Sequence, residues 1–583
     1  MMMGGYVWMY NRLSEEVRNQ IVFSKRPGKE HPMARYEGFW PHTVVLPKGF
    51  VKFGGALPLP CDIIFERDVA VQLRDKVTIY IDVFRPVTEE KVPVVFHSTT
   101  FGKNGSYSLI LDGKCLDNRM LSGFQSFEAF DPAYWCAQNY AIAVADMRGV
   151  HSSQGNTVYF GCQDAEDNYD IIEFLGEQEW CNGKVAMSGN SWLGMTQWWV
   201  AALQPPHLTC IIPWEGHGDL YRDEYVRGGI PNTQGIRPYL SYGDGLAEDL
   251  GAMIQKYPYI NEYWEDKRAR FEDIKIPIYA VSSYPNYTHS HGTVEGFRLA
   301  GTDRKWLRIN NTFEWPDMYC EKYKEDAKRF LDRYCKNLNN GWENTPKVRV
   351  SVLNPDGEDI VDRPEADYPI PDQELRKLYL HYSDMTMDEN WHDDPGKVRY
   401  ISDDEAGMVQ FCYTFPEDTE ITGIIKMKLW VEVDGYDDMD IFAKIHSTDL
   451  NGKVRVHVNS YLPQYNFEGP DAMLRVSLRE IDFEKSTPYE PFHTYKYPQK
   501  LAKGEIVPIE IGFWPNGMLY KKGDHLILTI TGSRQISHPT PFVAWYAAEG
   551  FAAPKYVNFN KGTHIIHMDG GYDSYLQIPV VKR

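Results

Sequence analysis

The segment GKVAMSGNSWLG (183–194) constrains this chain more than any other. GKVAMSG (183–189) reads as a buried strand, and WLGMTQWWVAALQ (192–204) as a helix stopped by Pro205-Pro206. A strand that turns through a serine directly into a helix exposes the Ser191 hydroxyl at the carboxyl end of a sheet. It also aims the amide of Trp192 at a developing oxyanion, where the helix N-terminus adds to it. Small residues are needed where strand and helix nearly touch. Gly189 supplies one side and Gly194, three residues after the serine, the other.

The flanking text predicts an α/β fold. VPVVFHS (92–98) and YAIAVADMRG (140–149) are apolar runs suited to central strands, and DAEDNYDIIEFLGEQ (164–178) reads as a helix with an acidic first turn. IPIYAVSS (276–283), WLRIN (306–310) and the helix KYKEDAKRFLDRYCK (322–336) continue the alternation, which implies a parallel sheet covered on both faces. VAVQLRD (69–75) and VTIYIDVFRP (77–86) are two strands joined by a tight turn at Asp75-Lys76. After about residue 346 short alternating stretches take over, including KVRVSVL (347–353), KLYLHY (377–382), IIKMKLWVEV (424–433), MDIFAKIHS (439–447), EIVPIEIGF (505–513) and HLILTITG (525–532). They predict an all-β sandwich or jelly roll. The expected division is an N-terminal arm (1–60), an α/β domain (61–212 and 271–345), a helical cap inserted at 213–270, and a β-sandwich domain (346–583).

Bulk composition excludes several functions. A formal net charge of −20 without a long Lys/Arg run argues against nucleic acid and anionic membranes as partners. The nine cysteines show no CxxC pairing, which reads as free thiols in a reducing, cytoplasmic setting. The opening MMMGGYVWMYNRLSEEVRNQ lacks the basic and apolar regions of a secretory signal, and no run is long enough to span a bilayer. There is no P-loop, dinucleotide fingerprint or HExxH, so no cofactor and no metal are expected. The expected partner is a small-molecule substrate, and the sequence leaves a homo-oligomer open.

In RDKVTIYIDVFRP (74–86), ADMRGVHSSQG (145–155), NGKVAMSGNSWLG (182–194), PWEGHGDLYRD (213–223) and DAMLRVSLREID (471–482) the chain resembles the CocE/NonD family of cocaine-esterase-like, peptidase-S15-like acyl hydrolases. The resemblance runs over nearly the whole chain. It implies an α/β-hydrolase domain with an inserted helical cap and a C-terminal jelly roll, and a site where the three meet. It also implies hydrolysis of esters, amides or lactones of small molecules.

The same resemblance exposes departures. The family's triad aspartate follows the strand matched by IPIYAVSS, where this chain has Asn286. An amide orients an imidazole without offsetting its charge, a loss of roughly 10⁴ in a working triad. The family's histidine follows the strand matched by WLRIN, where Phe313 stands. Glu314 beside it is expected to point to the other side of an extended segment. The family's oxyanion tyrosine matches Phe101, and its lost hydroxyl is worth about 2.7–4 kcal/mol unless Thr99 or Thr100 replaces it. His289 and His291 are substitute bases close to Asn286, and His217 lies at the base of the cap. Trp192 and Tyr284 are expected in an aromatic pocket with Trp214, whereas Trp198 and Trp199 read as core. Asp146 and Arg148 read as an ion pair, and Arg475 and Arg479 as interdomain contacts. The leading expectation is therefore an enzyme on a hydrolase scaffold that has left hydrolysis for a rearrangement, cyclisation, elimination or decarboxylation of a small, fairly apolar natural-product-like substrate, with the Ser191 hydroxyl, the Trp192 amide and a non-standard acid/base, His217, His289 or Glu314, as its catalytic groups. The alternatives are a serine hydrolase with a relocated histidine and a non-catalytic binding protein.

Overall fold

A computed structural model describes residues 13–108, 116, 120–232, 241–459, 466–535 and 558–582. The alternating apolar runs assemble into one eleven-stranded sheet. Its strands are β1 (His42–Leu46), β2 (Ile63–Gln72), β3 (Thr78–Pro86), β4 (Val92–Thr99), β5 (Ala141–Asp146), β6 (Cys181–Asn190), β7 (Leu208–Trp214), β8 (Ile278–Ser283), β9 (Lys305–Asn310), β10 (Val348–Val352) and β11 (Ile360–Glu365). From one edge to the other the order is β11-β10-β9-β8-β7-β6-β4-β5-β3-β2-β1. The run from β10 to β5 is parallel, and the edges turn antiparallel.

Every residue of β4, β5 and β8 is buried, as continuous apolar runs require when helices cover both faces. Those helices include α1 (Gly161–Gly176), α2 (Trp192–Leu203), α3 (Ser290–Leu299) and α4 (Glu321–Cys335). The hairpin between β2 and β3 turns where expected, with Lys76 in the left-handed region at φ 70°.

Two boundaries differ from expectation. KVRVSVL forms β10, which with β11 completes the large sheet instead of opening the second domain, because β10 finds its parallel partner in β9. The N-terminal arm is also part of the sheet: β1 pairs β2 at the edge, and Phe23–Ser24 pairs Ala247–Glu248 of the 213–270 insertion. That insertion is mostly loop with short helices at Leu250–Lys256 and Glu262–Asp266. The C-terminal domain holds two antiparallel sheets, of nine and five strands. IIKMKLWVEV, MDIFAKIHS and HLILTITG give its strands Lys426–Asp434, Asp440–Thr448 and His525–Thr531.

The eight described cysteines are free thiols; Cys115 lies outside the described residues, as do residues 1–12 at the start. Among the described residues no helix is long and apolar enough to cross a membrane. Arg148 pairs with Asp167 and Asp75 rather than Asp146, which instead accepts the Lys103 N–H. Arg475 is tied to Asp440 within the C-terminal domain. Arg479 likewise donates to carbonyls of that domain, at Val476 and Gln499.

Candidate active site

The turn between β6 and α2 is strained and tightly held. Ser191 has φ 52° and ψ −118°, a region costing a non-glycine residue on the order of 1–3 kcal/mol. Its N–H donates to Trp214 O at 3.0 Å, and the Asn190 N–H donates to Glu128 O at 3.1 Å. A Cβ on Gly194 would come within 2.4 Å of that same Trp214 carbonyl, and one on Gly189 within 2.4 Å of Leu193 Cβ. The elbow closes because both positions are glycine. α2 starts at Trp192, so the Trp192 N–H is one of the donors a helix start leaves without an intrahelical acceptor.

A histidine meets the serine from the β8 side. The Asn286 Oδ1 accepts the N–H groups of Thr288 (3.0 Å) and His289 (3.2 Å), turning the chain into α3. This places His289 Nε2 3.0 Å from Ser191 Oγ. On the other side of the ring, His289 Nδ1 lies 3.0 Å from His217 Nδ1, the rings nearly parallel at 23°. His217 Nε2 is 3.2 Å from a Glu224 carboxylate oxygen, off the line of the N–H. α3 fits closely over His217, since a Cβ on Gly292 would fall 2.2 Å from His217 Cβ.

With His289 neutral, one hydrogen-bond arrangement has the serine donating. Ser191 O–H donates to His289 Nε2, His289 Nδ1–H to His217 Nδ1, and His217 Nε2–H faces Glu224. Burial, with His217 adding to it, holds His289 well below the usual histidine range, so the ring is neutral at rest.

Glu314 overturns the expectation made for it. Its side chain turns inward, with Oε1 2.7 Å from Asn286 Nδ2 and 4.0 Å from His289 Nε2, and Oε2 3.4 Å from Asn190 Nδ2. The segment after β9 is not extended here but curls into the short helix Pro316–Tyr319, so alternation does not apply. Glu314 belongs to a buried set with Glu128 and Glu215. Asn190 bridges Glu128 (3.2 Å) to Glu314, and Asn286 bridges Glu215 (3.3 Å) to Glu314. Burial pushes Glu314 up to about 8, against the hydrogen bonds of Asn286 and Asn190. Glu128 and Glu215 are raised well above the carboxylate range by burial, and the neighbouring Glu314 raises each further.

The remaining expected positions divide. Phe101 and Phe313 are buried in one aromatic wall: Phe101 stands edge-on to Phe127 (4.8 Å), and Phe313 edge-on to Trp315 (5.6 Å). Thr100 is buried beside Phe101. Trp192 is half-buried, its indole 4.3 Å from the Phe160 ring and 5.3 Å from Tyr159. Trp214 and Tyr284 do not offer their rings to a pocket. Trp214 is fully buried and acts through its carbonyl, and Tyr284 is buried against Gly517 of the C-terminal domain. His291 points away from Ser191, bonded at 2.6 Å to both Asp223 and Glu490. Glu224, Glu128, Glu215 and Asn190 were missed. Only Asn190, inside the elbow motif, carried a local signal.

Among the described residues His381, His392 and Asp569, and separately His291, Glu295 and Glu490, bring metal-ligating atoms together. Neither group includes a residue around Ser191.

Residues 75–269 match the family model for X-Pro dipeptidyl-peptidase (S15 family), and 340–577 match that for the X-Pro dipeptidyl-peptidase C-terminal non-catalytic domain. A crystal structure of a CocE/NonD family hydrolase from Staphylococcus aureus superposes with a TM-score of 0.84 at 32% identity, covering 94% of this chain and 98% of that one. The chain belongs to the CocE/NonD family. A cocaine esterase from Rhodococcus is 27% identical over 205 residues, a match spanning 33% of this chain and 33% of the esterase. A Mycobacterium bovis protein, assigned by name only as a serine esterase, is 29% identical over 592 residues, covering 79% of this chain and 89% of its own. This CocE/NonD chain is thus an enzyme of a hydrolase family, with an α/β-hydrolase domain and a C-terminal all-β domain. The groups around Ser191 are arranged differently from the arrangement the resemblance implied.

Proposed function

We propose that the chain is a serine hydrolase of small, fairly apolar acyl compounds, esters, lactones or amides, with Ser191 as nucleophile and His289 as its base. The observation that carries this reading is the 3.0 Å contact from Ser191 Oγ to His289 Nε2 in a ring whose far nitrogen continues to His217. The expectation of a departure from hydrolysis rests on Asn286, Phe313 and Phe101 together, and chiefly on the missing base at Phe313. A histidine in contact with the hydroxyl removes that premise.

Ser191 Oγ attacks the acyl carbon as its proton passes to His289 Nε2. The imidazolium so formed donates through Nδ1–H to His217, and Glu224 at the end of the chain offsets the charge. The pair His217–Glu224 takes the part that a carboxylate alone plays in a Ser-His-Asp triad. The Trp192 N–H and the α2 N-terminus face the developing oxyanion. The strained Ser191 backbone keeps the hydroxyl at the mouth of this arrangement.

A fluorophosphonate probe tests the assignment. Wild type should label at Ser191, identified by mass spectrometry, with no label on Ser191→Ala and labelling slowed at least about 10³-fold in His289→Ala. Labelling of His289→Ala at the wild-type rate would overturn the role given to His289.

A further inference from the structure

The hydrolase reading uses Ser191 and one ring of the relay but leaves unexplained why Glu314 lies against the same ring nitrogen. His289 Nε2 is approached by Ser191 Oγ at 3.0 Å and by Glu314 Oε1 at 4.0 Å. The second distance is too long for a hydrogen bond, so the carboxyl and the ring are neighbours without being bonded to each other. An acyl carbon attacked by Ser191 Oγ carries its leaving atom past this nitrogen, and therefore past Glu314.

The surroundings of Glu314 keep a proton on it. Its hydrogen bonds come from the amides of Asn286 and Asn190, which favour the carboxylate but bring no positive charge, and burial outweighs them. The titratable groups facing it from neighbouring elements are Glu128, Glu215 and the neutral His289 ring. Two more carboxyls and a buried setting favour the uncharged acid. A cage of this kind is costly to build around a residue that only fills space, since a hydrophobic side chain would do so without buried polar atoms.

Resting on the serine-hydrolase reading, we propose that the Glu314 carboxyl protonates the leaving group, and that the substrates are alkyl esters or amides, whose leaving groups must gain a proton to depart. The Ser191 Oγ–acyl bond forms as the acyl–leaving-group bond breaks. The serine proton goes to His289 Nε2, and the Glu314 O–H proton goes to the departing oxygen or nitrogen. The acyl-enzyme then holds an imidazolium and a carboxylate side by side. In the second half a water attacks the acyl carbon and gives one proton to the Glu314 carboxylate. His289 returns its proton to Ser191 Oγ as that bond breaks. The sum is substrate and water to carboxylic acid and protonated leaving group.

The test compares Glu314→Gln with wild type on p-nitrophenyl butyrate, whose leaving group departs as a stable anion, and on ethyl butyrate, whose leaving group does not. The expected result is kcat/KM within about three-fold of wild type on the aryl ester and a loss of about 10²-fold or more on the ethyl ester, the usual worth of general-acid catalysis. Equal losses on both esters overturn the proposal, as does no loss on either. Fluorophosphonate labelling of Ser191 separates the two readings. If wild type fails to label, the serine-hydrolase reading falls and takes this one with it. If wild type and Glu314→Gln label at the same rate while the ester losses are equal, only the role of Glu314 falls.

Discussion

Glu314→Gln should change how stability depends on pH, and by an amount the structure sets. The carboxyl has its ordinary value near 4.5 in the unfolded chain and about 8 in the fold, because burial outweighs the donors Asn286 and Asn190. Between those values the folded protein holds a proton that the unfolded chain has released. The wild type therefore loses stability as pH rises, at up to about 1.4 kcal/mol per pH unit for this group. The slope begins above pH 4.5 and ends near pH 8, where the folded protein releases the proton too. Across the window the loss accumulates to about 4 kcal/mol. Glutamine keeps the shape and does not titrate. Its carbonyl accepts from Asn286 Nδ2 as Glu314 Oε1 does. The variant should match wild type at pH 5 and exceed it by several kcal/mol at pH 8. Urea unfolding at half-unit pH steps from 5 to 8.5, followed by near-ultraviolet circular dichroism, gives the two curves. Parallel curves over that range would refute the reasoning, since they would mean that Glu314 is ionised at neutral pH like an exposed carboxylate.

Glu224→Gln removes the charge at the end of the relay while keeping its shape, and steady-state kinetics should show kcat reduced by about 10²-fold with KM little changed. Gly194→Ala would push a methyl group to 2.4 Å from the Trp214 carbonyl that holds the Ser191 N–H. It should cost about 1–3 kcal/mol in unfolding free energy and slow fluorophosphonate labelling. His291→Asn leaves Asp223 and Glu490 buried without their shared cation; with Arg298 still 3.4 Å from Glu490, the expected loss is about 2–4 kcal/mol at pH 7. Burial opposes the His291 charge, but Glu490 and Asp223 raise the ring to about 10, so its contribution is complete below 6.5, fades as pH rises through 10, and the two midpoints should converge there. Asn286→Asp, which puts a carboxylate where the resemblance implies a triad aspartate, should lower stability and leave activity no higher, measured by urea midpoint and esterase rate. It deletes the Nδ2 donor shared by Glu215 and Glu314, at about 1–3 kcal/mol per acceptor left bare.

The elbow was legible in the sequence because its constraint is local: a strand, two close glycines and a helix occupy one continuous segment. The parallel sheet was legible for the same reason, since β4, β5 and β8 each carry their burial in their own apolar run. What escaped was whatever depends on contact between distant segments. β10 alternates as a strand of the second domain would, and only its pairing with β9 assigns it to the sheet. Glu314 was misplaced because strand alternation was carried past the end of β9, where the chain bends. The partnership of His289 with His217 joins residues that neither motif nor spacing connects. Glu224 is tied to His217 only through the turn Tyr221–Tyr225.

On the serine-hydrolase proposal, the replacements that the resemblance implies at 286 and 313 are connected rather than independent losses. With an aspartate at 286 and a histidine at 313, base and carboxylate would reach Ser191 from the ends of β8 and β9. Here Asn286 spends its carbonyl on the N–H groups of Thr288 and His289, and the turn it caps brings His289 to Ser191 from the start of α3. Its amide is then free to bridge Glu215 and Glu314, which an ionised aspartate, having no hydrogen to donate, cannot do. With His289 as the proposed base no work is left for a histidine at 313, and the phenyl ring there packs edge-on to Trp315. Glu314, next in sequence, turns towards the vacated side of the His289 ring. Changing Asn286 alone removes the Nδ2 donor that the buried carboxyls Glu215 and Glu314 share.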